Sequence, residues 1–95
     1  MIGFNCMVRG KEVFIVTDKK NKTNSFCTAA CKAIRKALGM SETPMDSDIK
    51  WFKSVATLAT LEYGNVNGYE TYKISGSDFC SFGFIKDDDL IVVNM

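Results

Sequence analysis

Three sets of side chains here are of types that could do chemistry: six cations with no acid among them, four cysteines, and a run of three aspartates. The cations Lys19, Lys20, Lys22, Lys32, Arg35 and Lys36 give residues 19–41 a charge of +6, whereas residues 42–95 hold nine acids against four bases. The net charge of +1 conceals this division, and an asymmetry of that kind points to a charged partner. Loop amides and lysines at a helix start suit phosphate, and Lys32, Arg35 and Lys36 at i, i+3 and i+4 make one patch. Other features oppose a nucleic-acid reading. No aromatic residue is interleaved with the cations to stack bases, no nucleic-acid motif is present, and the isoelectric point near 7.6 is below the usual footprint. Cations in the last turns of a helix also complement its dipole.

Cys27 and Cys31 share a helix face, but i, i+4 spacing leaves their Cβ atoms about 6 Å apart, too far for a disulfide. Cys6 and Cys80 could meet if their strands are neighbours. A zinc site would need all four cysteines, because the chain has no histidine, and no CxxC knuckle is present. All four fall on apolar faces and are expected as buried, reduced thiols, with neither metal nor cofactor. The missing histidine also removes the commonest general base and the usual partner of a nucleophilic serine or cysteine. Asp87, Asp88 and Asp89, with Asp78, could hold Mg²⁺, but "KDDD" reads more simply as a polar turn. A non-catalytic protein is expected.

The aromatic residues Trp51, Tyr63, Tyr69 and Tyr72 cluster in sequence, bordered by Glu42, Asp46, Asp48, Glu62 and Glu70. Trp and Tyr dominate binding hot spots, so this edge is a candidate protein-binding surface.

These groups must be positioned by a chain of 95 residues, 46% of them hydrophobic, which is enough for one ordered core and too short for two. "IGFNCMV" and "VFIVT" alternate about the turn "RGKE" and predict a hairpin over residues 2–18. The polar loop "DKKNKTN" then leads to a helix capped by Asn24 or Ser25, running to about Leu38 and stopped by Gly39. Phe26, Cys27, Ala30, Cys31, Ile34, Ala37 and Leu38 form its apolar face. Asp46 or Ser47 can cap a second helix, expected to about Leu61, with Phe52, Val55, Ala56 and Ala59 as its central stripe. A competing reading starts a strand near Thr57, because "TLATLEYG" and "YETYKIS" flank the turn signal "NVNG". "YETYKIS", "FCSFGFI" and "LIVVN" predict an antiparallel meander. The expected fold is α+β, ββααβββ, with an antiparallel or mixed sheet and two helices packed on one face.

The opening residues lack a signal peptide's pattern, and no stretch is long and apolar enough for a membrane span, so a cytoplasmic setting is expected. No motif of a known family is legible. The functional expectation is a small protein that binds a protein or nucleoprotein complex stoichiometrically, in the manner of a phage-borne inhibitor of a bacterial defence complex such as a CRISPR effector. The alternative is a nucleic-acid-binding protein using the basic loop and first helix.

Overall fold

A computed structural model describes residues 2–66, 69–75, 84–85 and 90–95. The chain runs β1 (Ile2–Val8), β2 (Lys11–Thr17), α1 (Asn24–Ala37), α2 (Asp46–Val55), β3 (Thr57–Val66), β4 (Tyr69–Ser75), β5 (Phe84–Ile85) and β6 (Leu90–Asn94). The strands form one mixed sheet in the order β5-β4-β3-β1-β2-β6. The α+β class is as expected, and the arrangement adds a strand to the expected order.

The hairpin β1–β2 is closed by a two-residue turn, with Val8 paired to Lys11 and positive φ at both Arg9 (52°) and Gly10 (76°). Those angles define a type I′ turn, whose twist matches that of the strands it joins. Alternation along the hairpin puts Phe4, Cys6, Val13 and Ile15 on one face, where they join Phe26, Cys27, Ala30, Cys31 and Ile34 of α1 and Phe52 of α2 in one buried cluster. Both helices therefore lie on that face. Residues of opposite parity, Asn5, Phe14, Val16 and Ala59, are buried as well, so the centre of the sheet is covered on both sides.

Three phenylalanines join the layers, one each from β1, α1 and α2. The ring centroids of Phe4 and Phe26 are 5.1 Å apart, those of Phe26 and Phe52 6.1 Å, and those of Phe4 and Phe52 6.5 Å, all tilted. These separations lie in the range where aromatic pairs attract beyond their area burial.

The structure corrects three expectations. The second helix stops at Val55 and not near Leu61; Ala56 is extended, and β3 begins at Thr57. The competing reading is the one realised, because β3 finds a partner: Leu58 pairs with Phe4 and Ala59 with Gly3 on β1. Tertiary pairing here overrides a helical stripe that continued on paper. Val55, placed in that stripe, is exposed. Second, the final strands are not a simple meander. β4 pairs antiparallel with β3 and β5, but β6 crosses to the opposite edge and runs parallel to β2. Third, the caps sit one residue earlier than expected. Thr23 Oγ1 accepts from Phe26 N at 3.2 Å, and Met45 is the N-cap of α2, its N–H donating to Asp48 Oδ2 at 2.8 Å. A methionine has no capping oxygen, so the carboxylate three residues on does the work, as one half of a capping box.

Phe52 is the one fully buried side chain that α2 contributes to this cluster. Phe52→Ala is expected to cost about 3–5 kcal/mol in urea unfolding, because both the transfer energy and the cavity count against it. A loss below about 1 kcal/mol would mean that α2 is held by something else.

Candidate binding cleft

Two cations of the predicted basic group, Lys22 and Arg35, are engaged within the fold. Lys22 Nζ donates to Lys53 O at 2.9 Å and Ala56 O at 2.7 Å, which occupies carbonyls left over where α2 ends. A cation at a helix C-terminus also meets the negative end of its dipole. Lys22 thus fixes the point at which α2 gives way to β3. Lys53 returns the contact, its ammonium bonding Asn24 Oδ1 at the start of α1. Lys19, Lys20, Lys32 and Lys36 are exposed and make no ion pair among the described residues. Lys22 and Lys36 lie at opposite ends of α1, about 20 Å apart along its axis at 1.5 Å per residue.

Arg35 is likewise committed. Its Nε donates to Ser41 O at 2.6 Å and its Nη1 to Asp48 Oδ2 at 3.0 Å. The same carboxylate oxygen accepts from Met45 N, so one guanidinium ties together the end of α1, the α1–α2 loop and the first turn of α2. The side chains of the pair are 16% and 29% exposed, so the charges are only partly screened by water.

This tie frames a cleft of about 310 Å³ between α1, α2 and the β1–β2 turn. Its apolar wall comes from Ile34 and Leu38 of α1, Met40 just beyond it, and Trp51 of α2. Met40 is turned into this position by the C-terminal stop of α1. Gly39 has φ 72°, Gly39 N bonds Lys36 O at 3.1 Å and Met40 N bonds Arg35 O at 2.8 Å, which together make a Schellman motif. Met7, 55% exposed, and Val8 close the side towards the sheet, and Arg9 stands at the turn. The cleft therefore brings together Arg35 and Trp51, which sequence reading had assigned to separate surfaces.

Arg9 is the residue that sequence reading missed. The first position of a type I′ turn strongly favours Asn, Asp or Gly, because φ is positive there, and an arginine pays a conformational penalty. "RGKE" was legible as a turn, and the signal that could have marked Arg9 was its poor fit to that turn. Across the hairpin Lys11 faces Val8 and Glu12 faces Met7, so the two cleft-lining residues of β1 each meet one charge and the two charges are opposite in sign.

Of the aromatic edge, Trp51 is half-buried against the core, while Tyr63 and Tyr72 are register partners across β3 and β4 and Tyr69 pairs with Val66. The side chains of these tyrosines lie outside the described residues, as do Cys80 and the acids Asp78, Asp87, Asp88 and Asp89. Cys6, Cys27 and Cys31 are buried free thiols, and no cluster of three metal-ligating side chains occurs among the described residues. Cys31 Sγ lies 3.5 Å from Asp48 O at the floor of the cleft. Burial pushes the Cys6 thiol up to about 12, with Cys31 adding to the effect. Cys31 rises to about 11, first through burial and then through Asp48 and Cys27, against Arg35. Cys27 is raised by burial against the opposing pull of Lys53 and Lys22. Held as thiols, these cysteines are poor nucleophiles.

Two results are expected. Lys22→Ala should lower stability by about 1–2 kcal/mol, while Lys20→Ala stays within about 0.5, as measured by urea unfolding; equal effects would show that Lys22 is ordinary surface. A free cysteine ionises near 9.0, whereas folded Cys31 and Cys6 keep their protons to about 11 and about 12. Between those values the native state binds more protons than the unfolded one, so this contribution is complete below pH 9 and declines as pH rises through the folded values. Cys6→Ala should flatten that alkaline decline in unfolding midpoint, and an unchanged slope would contradict the assignment.

In comparisons with protein-family models, curated proteins and solved structures, the chain matches none.

Proposed function

We propose that this chain is a non-catalytic protein that engages a macromolecular partner stoichiometrically through the cleft at Trp51, and that it acts by occupying its partner's surface, as an inhibitor does. The observation that carries this reading is the cleft itself, where a half-buried tryptophan, an exposed Met7 and a pre-positioned Arg9 converge on one apolar recess. Trp and Arg are the side chains most often responsible for binding energy, and methionine adapts to an incoming apolar group. At about 310 Å³ the recess is at the lower limit of small-molecule sites, which suits one or two inserted side chains better than a nucleotide or cofactor. Protonated buried thiols support a non-catalytic role, and their unpaired state fits a reducing, cytoplasmic setting.

A second reading rests on Lys19, Lys20, Lys32 and Lys36, exposed and without an ion pair among the described residues, which could meet phosphates along α1. Capture from native cell lysate on the tagged chain, with and without nuclease, separates the two. The expected result is a nuclease-resistant protein at near-stoichiometric yield, lost with Trp51→Ala and with Met7→Asp, the latter on a side chain exposed enough to leave the fold intact. Nucleic acid alone, lost after nuclease, would overturn the first reading in favour of the second.

A further inference from the structure

We infer that the cleft recognises an acidic segment of a partner protein, with an apolar side chain inserted against Trp51 and an adjacent carboxylate paired to Arg9. This inference rests on the cleft being the binding surface and adds the chemistry of its occupant.

The first observation is charge. Within the cleft Asp48 is already bound by Arg35 and by the backbone of Met45, so its negative charge is spent inside the fold. Arg9 has no ion pair among the described residues, and the charges across the hairpin from Met7 and Val8, Glu12 and Lys11, offset one another. Among the residues lining the cleft this leaves Arg9 as the charge in excess, and an arginine fork matches a carboxylate in geometry as well as in sign.

The second observation is cost. Arg9 holds φ 52° at a position where asparagine or glycine would be more stable, and nothing in its described surroundings repays that: it is exposed, and no hydrogen bond of its side chain is seen among the described residues. A residue that disfavours its own backbone while placing a charge, without an ion pair among the described residues, beside an apolar recess is a candidate for recognition, where local strain tends to concentrate. The third is shape. Ile34, Leu38, Met40 and Trp51 offer an apolar wall, while Arg9 lies on the turn at one side. An occupant must therefore carry its apolar group and its negative charge next to each other, as a leucine or phenylalanine flanked by glutamate does. Such a partner would be steered electrostatically and held by apolar burial.

Trp51 is the chain's sole tryptophan, so its emission reports on this cleft alone. The probes are short, terminally blocked peptides: a central leucine or phenylalanine flanked by glutamates, the same centres flanked by lysines, and a glutamate-flanked alanine. The glutamate-flanked apolar peptides are expected to shift the emission saturably, with affinity about tenfold above either control and falling as salt is raised. Arg9→Glu should reverse the preference towards the lysine-flanked peptides. Arg9→Asn should weaken the acidic peptides while keeping or raising the thermal midpoint, since asparagine suits the turn; this separates recognition from folding.

Equal binding of acidic and basic peptides, no response to any peptide, or an unchanged preference in Arg9→Glu would overturn the inference. So would a single-stranded oligonucleotide that moves the Trp51 emission when the peptides do not. If partner capture is lost with Met7→Asp but unaffected by Arg9→Glu, the cleft remains the binding surface and only its acidic specificity fails. Capture insensitive to both would remove both readings.

Discussion

The contact on which the rest depends is the triangle of Phe4, Phe26 and Phe52. One ring comes from the central strand and one from each helix, with centroids 5.1 to 6.5 Å apart. Because the three rings must meet, both helices are confined to one face of the sheet and to one place along β1. Everything near the triangle is tightly filled by Cys6, Val13, Ile15, Cys27 and Ala30. Farther along, where the β1–β2 hairpin turns and α1 ends, Trp51, Leu38 and Met40 line the space between the helices without closing it. The cleft occupies that position.

Polar contacts then hold the cleft's rim in place. The Arg35–Asp48 pair bridges the two helices, so the first turn of α2, whose N-cap amide the same carboxylate supports, cannot shift against α1 without giving up that charged hydrogen bond. At the other end of α2, Lys22 draws on Lys53 O and Ala56 O, so the helix is fastened at both termini. A partly exposed ion pair contributes modestly to stability by itself. Its role here is positional: it keeps Trp51 facing Leu38 and Met40, and the type I′ turn brings Arg9 up beside them.

Much of this was legible in the sequence. The hairpin, the amphipathic face of α1 and the stop at Gly39 follow from alternation, helical period and the conformational freedom of one glycine, and these are local signals. Residues 56–61 were misread because "VATLATLEY" satisfies a helical stripe as well as a strand. The deciding factor, pairing of Leu58 with Phe4, is 54 residues away in sequence and invisible to any local pattern. The same holds for β6, whose parallel pairing with β2 depends on the course of the whole sheet. The candidate cleft was only partly legible. Arg35 and Trp51 were both singled out for the right residue type, but their meeting depends on how α1 and α2 pack. Lys22 was grouped with its neighbours by charge, whereas what distinguishes it is the helix end lying within its reach.

A protein without a legible catalytic set can still be specific if its surface presents charge and apolar area in a fixed relation. Here that relation is set by a hairpin turn on one side and an interhelical ion pair on the other. On the proposed function, recognition occurs at this cleft and not along the exposed lysines of α1. Hydrogen–deuterium exchange of the chain, free and bound to its captured partner, tests it most directly. The claim requires new protection at residues 7–11, 38–41 and 48–52, and little change at residues 18–25 and in the first two turns of α1. Protection confined to those latter segments, with the cleft residues unchanged, would contradict it.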